Sequence, residues 1–167
     1  MEGCLDIFRN ARDAIREAGA RSALADVWHE LGDSAQAIQQ AWMALDVRNT
    51  HSDPQDRSGS HHNLSIYLQK TGRGTEAAKH WLAGFAYDLA TGVDLQGSLQ
   101  ALPFHRQVAT TRSEIFTVPP LASLLQDPEF SPLRQFLADR GEDIEALDVE
   151  IRAAIETASG PRTSDHS

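Results

Sequence analysis

One feature constrains this chain more than any other: a pair of amphipathic helices separated by glycine appears twice, 40 residues apart. In the first copy Leu24, Trp28 and Leu31 fall on one helical face, and Gly32 follows. Glycine readily takes the left-handed conformation that ends helices. Asp33 and Gln36 then stand at the spacing of a reciprocal N-terminal cap. Ala37, Ile38, Ala41, Trp42 and Leu45 mark the second helix. In the second copy Leu64 and Leu68 precede Gly72, and Ala77, Ala78, Trp81, Leu82, Phe85 and Leu89 follow it, with Gly92 as the expected stop. Lining up Gly32 with Gly72 brings Leu24 onto Leu64, Ala25 onto Ser65, Trp28 onto Leu68, Ala37 onto Ala77 and Ala44 onto Gly84. Small residues meet small ones where crossing helices need close approach, and large ones meet large ones where layers need filling. The polar stretch Asn49 to Ser58, with Pro54 in it, is expected to be the loop between copies.

Run backwards, the same shift sets Cys4, Leu5, Asp6 and Ile7 on Ala44, Leu45, Asp46 and Val47. One reading makes the chain start at the end of an earlier repeat. It would then be the tail of a longer array, or stack on another repeat chain through residues 1–18, since an uncapped solenoid end exposes apolar surface. The other reading is an ordinary first helix with Leu5, Phe8, Ala11, Ile15 and Ala18 inward. Both stay open at this level.

Beyond Gly92 the pattern changes. Val93 to Leu102 suits a short helix, Pro103 to Pro120 an irregular segment, and Leu121 to Leu125 a turn or two of helix after Pro119 and Pro120. Pro128 and Pro132 break the chain around Phe130, and Leu133, Phe136 and Leu137 make a helix closed by Gly141. The last helix carries Ile144, Leu147, Ile151, Ile155 and Ala158, with Glu142 and Asp143 at its positive end and Gly160 and Pro161 beyond it. From Glu142 to Glu156 there are six acids and one base, so its outer face is acidic. The expected organisation is a helix and hairpins over 1–92, a helical cap over 93–159 and a disordered tail over 160–167.

Charge narrows the partners. Lys and Arg total 15 against 24 Asp and Glu, a net −9. That disfavours nucleic acid, whose phosphates need clustered cations, and anionic membranes. No run approaches the ~18 apolar residues of a membrane span. The start carries neither a basic nor a long apolar run, and the single cysteine, Cys4, allows no internal disulfide. The cytoplasm is the expected address.

The runs Ala25-Asp26-Val27-Trp28-His29-Glu30-Leu31-Gly32-Asp33, Ala37-Ile38 and Ala44-Leu45, with Asn63-Leu64-Ser65, Gly72, Ala77 and Trp81, resemble the tetratricopeptide repeat. The resemblance covers Gly19 to Gly92. It implies an all-α fold of about two helix-turn-helix repeats, with a partial one before them and a helical cap after. The family's usual period is about 34 residues, and the surplus is expected in the loop around His51 to Ser58. The family's proline after the second helix is missing from both copies. Ser60-His61-His62-Asn63-Leu64 with Tyr67-Leu68 is also similar to the last repeats of large actinobacterial regulators, which implies a bacterial sensor arm or its free-standing remnant.

The resemblance implies a non-enzymatic adaptor, in which first helices line a groove that holds a partner peptide or helix. Carried over by the repeat match, the groove residues are Ser22, Asp26, His29 and Glu30, then His62, Asn63, Ile66, Gln69 and Lys70. Asn63 suits a clamp for a terminal carboxylate, but Asp26 and Glu30 would repel one, so a basic or mixed segment is the expected cargo. The chain's own residues 104–120, or its last helix, are the alternative occupants.

Catalytic motifs are not in evidence: there is no phosphate loop, His-Glu-x-x-His or nucleophile elbow. No catalytic residue, cofactor or metal is expected. Two alternatives stay in view. A receptor for a small molecule or peptide signal would use a pocket among His29, His62 and Trp81. A metalloenzyme would use His61 or His62 with His29 or His80, although neighbours on a helix point about 100° apart. Trp28, Trp42 and Trp81 read as packing residues before they read as a ligand cage.

Overall fold

The computed structural model describes residues 13–51, 53–93, 95–112 and 115–159. The chain is all-α and repeat-like, with no strand among the described residues. Four helices make two hairpins: α1 (Ala14–Glu30), α2 (Ser34–His51), α3 (Pro54–Lys70) and α4 (Gly74–Thr91). The 40-residue register holds helix by helix. α1 and α3 are each 17 residues long and start 40 apart, as do the 18-residue α2 and α4. Gly32 and Gly72 both take positive φ, 83° and 85°, where a side chain would strain the turn. Asp33 caps α2 by accepting from the Gln36 amide at 3.1 Å.

The expected loop at Asn49 to Ser58 is almost entirely helix. α2 runs to His51 and α3 starts at Pro54, so the surplus over a 34-residue repeat lengthens the helices instead. Pro54 costs nothing in the first turn, where its missing N–H has no helical partner. Asp53 caps that turn through the Gln55 amide. Polar residues in and beside that stretch tie α2 to α3: Arg48 donates to Ser60 Oγ, and Arg57 donates to the Arg48 carbonyl at 3.1 Å.

A second departure extends the array. The segment expected to be irregular from Pro103 is helical as far as Arg112, within α5 (Leu95–Arg112). Pro103 removes one backbone donor, but Ser98, Leu102, His105 and Ala109 form a buried stripe that holds the helix through it. α5 packs on α3 and α4. Its Ser98 and His105 stand one more 40-residue step along from Ser58 and Ser65, and from Ala18 and Ala25; all six are buried. α5 therefore continues the row of first helices, α1 and α3.

The chain then crosses the α3–α4 turn. Gly74 permits this, because a Cβ there would lie 2.7 Å from the Ile115 carbonyl oxygen. Phe116 stacks on His105, with ring centroids 4.9 Å apart. Lys79 on α4 pairs with Asp127 at 2.8 Å, bringing α6 (Leu121–Leu124), a 3-10 turn (Pro128–Phe130) and α7 (Ser131–Arg140) onto the far side of α4. α8 (Ile144–Ser159) closes the fold against α5 and α6, burying Leu147, Ile151 and Ile155. Its Arg152 donates to the Val118 and Pro119 carbonyls, and its Asp148 accepts the Leu121 amide.

Of the expected irregular segment, 104–112 lengthen the helical row, with Arg112 donating to the Lys70 carbonyl, and 115–120 leave across the turn. Leu31, expected inward, is 71% exposed at the end of α1. Trp81 is fully buried, and Trp28 and Trp42 pack against the core between α1 and α4. The Cys4–Ile7 match, Leu5, Phe8 and Ala11 of the first-helix reading, and the tail 160–167 lie outside the described residues.

Candidate functional site

The groove residues separate into two groups. In the first, α1 meets α3. Tyr67 donates to Asp26, and burial together with that bond pushes the phenol up. Lys70 lies 2.8 Å from His29 Nε2. The ammonium donates there, so the His29 proton sits on Nδ1, which is buried without a hydrogen-bond partner among the described residues. Burial and the Lys70 charge push His29 down, against Asp26 and Glu30. Ser22 and Asn63 are half-exposed and Glu30 is exposed. Gln69 is fully buried, so its place in an open groove is overturned. Its amide nitrogen lies at the start of α4, 3.6 Å from where a Gly74 Cβ would stand.

The second group surrounds His62. A cleft of about 380 Å3 opens between α3, the end of α4 and the start of α5. Gly59, Ile66, Gly97 and Ala101 form its walls, with His62, Asp88, Ser58 and Ser98 as its polar part. Asp88 Oδ1 accepts from Ser58 at 2.5 Å. Asp88 Oδ2 accepts from Ser98 at 2.5 Å and from His62 Nε2 at 2.9 Å. Burial pushes the Asp88 carboxyl up, but the bonds from His62, Ser58 and Ser98 outweigh it and hold the group below the ordinary carboxylate range. Gly84 seats the imidazole: a Cβ there would be 2.8 Å from His62 Cε1.

A serine, a histidine and an aspartate together invite a nucleophilic reading, and the geometry opposes it. A hydrolytic triad sets carboxylate and hydroxyl on opposite imidazole nitrogens. Here Asp88 and Ser98 both lie 2.9 Å from Nε2, and the Ser98 proton goes to Asp88. His62 has no free lone pair aimed at that hydroxyl.

The four histidines weighed for metal do not converge. His61 Nδ1 is 2.9 Å from His80 Nδ1, and His80 Nε2 is 2.9 Å from Glu129 Oε1. The Nδ1–Nδ1 contact is one hydrogen bond shared by the two rings, one nitrogen donating and the other accepting. Burial, then His80 and His62, push His61 well below its ordinary value. Phe130 packs against both rings. His62 turns to Asp88 and His29 to Lys70. Among the described residues no group of three or more His, Cys, Asp or Glu is placed to hold a metal. Nor do His29, His62 and Trp81 frame one pocket, since Trp81 is buried with its indole N–H on the Ser98 carbonyl.

Asp88, Ser58 and Ser98 were missed from sequence. The available signal was a change of chemistry at matched positions: inward Ala18 becomes Ser58, and Arg48 becomes Asp88. No family model matches the chain, and no curated protein or solved structure matches it either. No described helix is long and apolar enough to cross a membrane.

Proposed function

We propose that this chain is a non-enzymatic interaction module of tetratricopeptide type, which holds a partner peptide or helix along α1, α3 and α5. The observation that carries the reading is the continued row of first helices. Two hairpins repeat in a 40-residue register, and α5 adds buried Ser98 and His105 in step with them. Along that row Ser22, Glu30, Asn63, Ile66 and Lys70 keep solvent-facing surface, and His62 borders a cleft. A helix would be held there by a few apolar anchors and a polar rim. Exposed Glu30 and the net −9 charge favour a basic or mixed segment. In this proposal the module works in the bacterial cytoplasm, as a sensor arm or a subunit of a larger complex.

The test is affinity capture at near-physiological salt, comparing wild type with Glu30→Lys and Ile66→Glu. Asp26 is left intact because Tyr67 depends on it. One stoichiometric partner, lost with both variants and recovered by mixing purified components, supports the module. A partner retained by both variants moves the interface to the acidic face of α8. The receptor reading is favoured by the cleft alone, and a ligand-dependent rise in Tm without any protein partner would support it.

A further inference from the structure

We infer that the cleft between α3, α4 and α5 takes a cationic side chain, a Lys ammonium or Arg guanidinium of the held partner, against Asp88. This rests on the interaction-module reading and gives it a chemical specificity.

The argument is an accounting of protons. A carboxylate has about four acceptor sites. Asp88 uses three, for the Ser58 hydroxyl, the Ser98 hydroxyl and His62 Nε2. Both serine protons are committed to Asp88, and so is the His62 Nε2 proton. What the two hydroxyls retain for a ligand is lone pairs. An incoming carboxylate or phosphate would find hydroxyl oxygens with no proton to give, beside a negative charge. An incoming donor finds acceptors.

Charge points the same way. The Ser58 and Ser98 hydroxyls are neutral donors, so they hold the Asp88 charge without cancelling it. Among the described residues the cleft lining contains no lysine or arginine. The two arginines of the neighbouring α2–α3 seam are engaged elsewhere, Arg48 on Ser60 and Arg57 on the Arg48 carbonyl. An ionised carboxylate attracts a cation more strongly where water is scarce. The cleft has room for one: its 380 Å3 compares with about 30 Å3 per water in the liquid. Its lining suits a side chain with an apolar stem and a charged head, because Ile66 and Ala101 share it with the polar groups.

The test uses the full chain and small probes of one shape and different charge. Amide and imidazole NMR signals are followed while n-propylguanidinium, neutral N-propylurea or propionate is added. The expected result is saturable change at Ser58–His62 and Gly97–Ser98 with the guanidinium, and at least about tenfold weaker response to the urea. Asp88→Asn should abolish the preference for the cation. Because that variant touches a buried group, Ile66→Lys is the second: it changes none of the hydrogen-bonded groups, sets a cation in the lining and should weaken guanidinium binding by a similar factor. Equal binding of the urea, tighter binding of propionate, or no saturable change overturns the inference. An arginine-containing peptide should outcompete spermidine, and the reverse order would overturn the assignment to a partner's side chain. Loss of cation binding with partner capture intact removes this inference and leaves the module. Cation binding without any captured partner overturns the module instead.

Discussion

Gly84 seats the His62 ring, and the cleft depends on that seat. In an ordinary helix interior, alanine is favoured over glycine by about 1 kcal/mol. At this position the added Cβ would stand 2.8 to 3.0 Å from three imidazole atoms. Gly84→Ala should therefore destabilise the fold by about 1–2 kcal/mol in spite of its helix propensity. The His62 ring signals should move away from their Asp88-bonded position. A variant more stable than wild type to urea, with unmoved His62 signals, would contradict the described seat. The residue scale is where the sequence was least informative. Ser58 reads as part of a polar loop, and nothing local tells that its hydroxyl will meet an aspartate 30 residues away. By contrast, Gly32, Gly72, Gly92 and Gly141 all take the positive φ expected of helix stops.

The hairpins were readable because their spacing, caps and glycines agree, and each depends on residues close in the chain. α5 was readable only as far as Leu102, because a proline inside a helix argues locally for a break, while the stripe from Ser98 to Ala109 acts only once α3 and α4 are in place. The α2–α3 connection misled in the same way, its polar residues being spent on bonds between helices. α8 is the element that seals the C-terminal half. Ile151 is fully buried within the cluster that joins α4, α5 and α6. Ile151→Ala should cost about 2–5 kcal/mol. Hydrogen exchange should speed up in α5 to α7 ahead of α1 and α2, whose core is the separate cluster around Ala37, Leu45 and Leu64. Uniform acceleration across all helices would show instead that the two clusters unfold as one.

At the scale of the whole molecule, the path over the α3–α4 turn could not be read in advance, since Gly74 with Ile115 and Lys79 with Asp127 are long-range pairings. That path also buries histidines. His105 is pushed down to about 4 by burial and by His62, and His61 is pushed down as well. Unfolded histidines titrate near 6.5, so below that value the unfolded chain binds more protons than the folded one. The histidine contribution to stability is complete above about pH 6.5. It is lost as pH falls from there toward about 4, where folded His105 protonates too. Each such histidine supplies a slope of up to about 1.4 kcal/mol per pH unit. The Asp88 contribution has the same sign and is lost lower, as pH drops below the ordinary carboxylate range. Urea midpoints should fall between pH 7.5 and 5, and His105→Gln should flatten that fall; an unchanged slope would show that His105 does not titrate with folding.

The central claim, that a partner lies along the row of first helices, is tested most directly by photo-crosslinking in the native host. A photoreactive residue is placed in turn at Glu30, at Ile66 and at Val149 on the exposed face of α8. The account predicts one and the same adduct from Glu30 and Ile66, and none from Val149. An adduct from Val149 alone would contradict it and move the interface to α8.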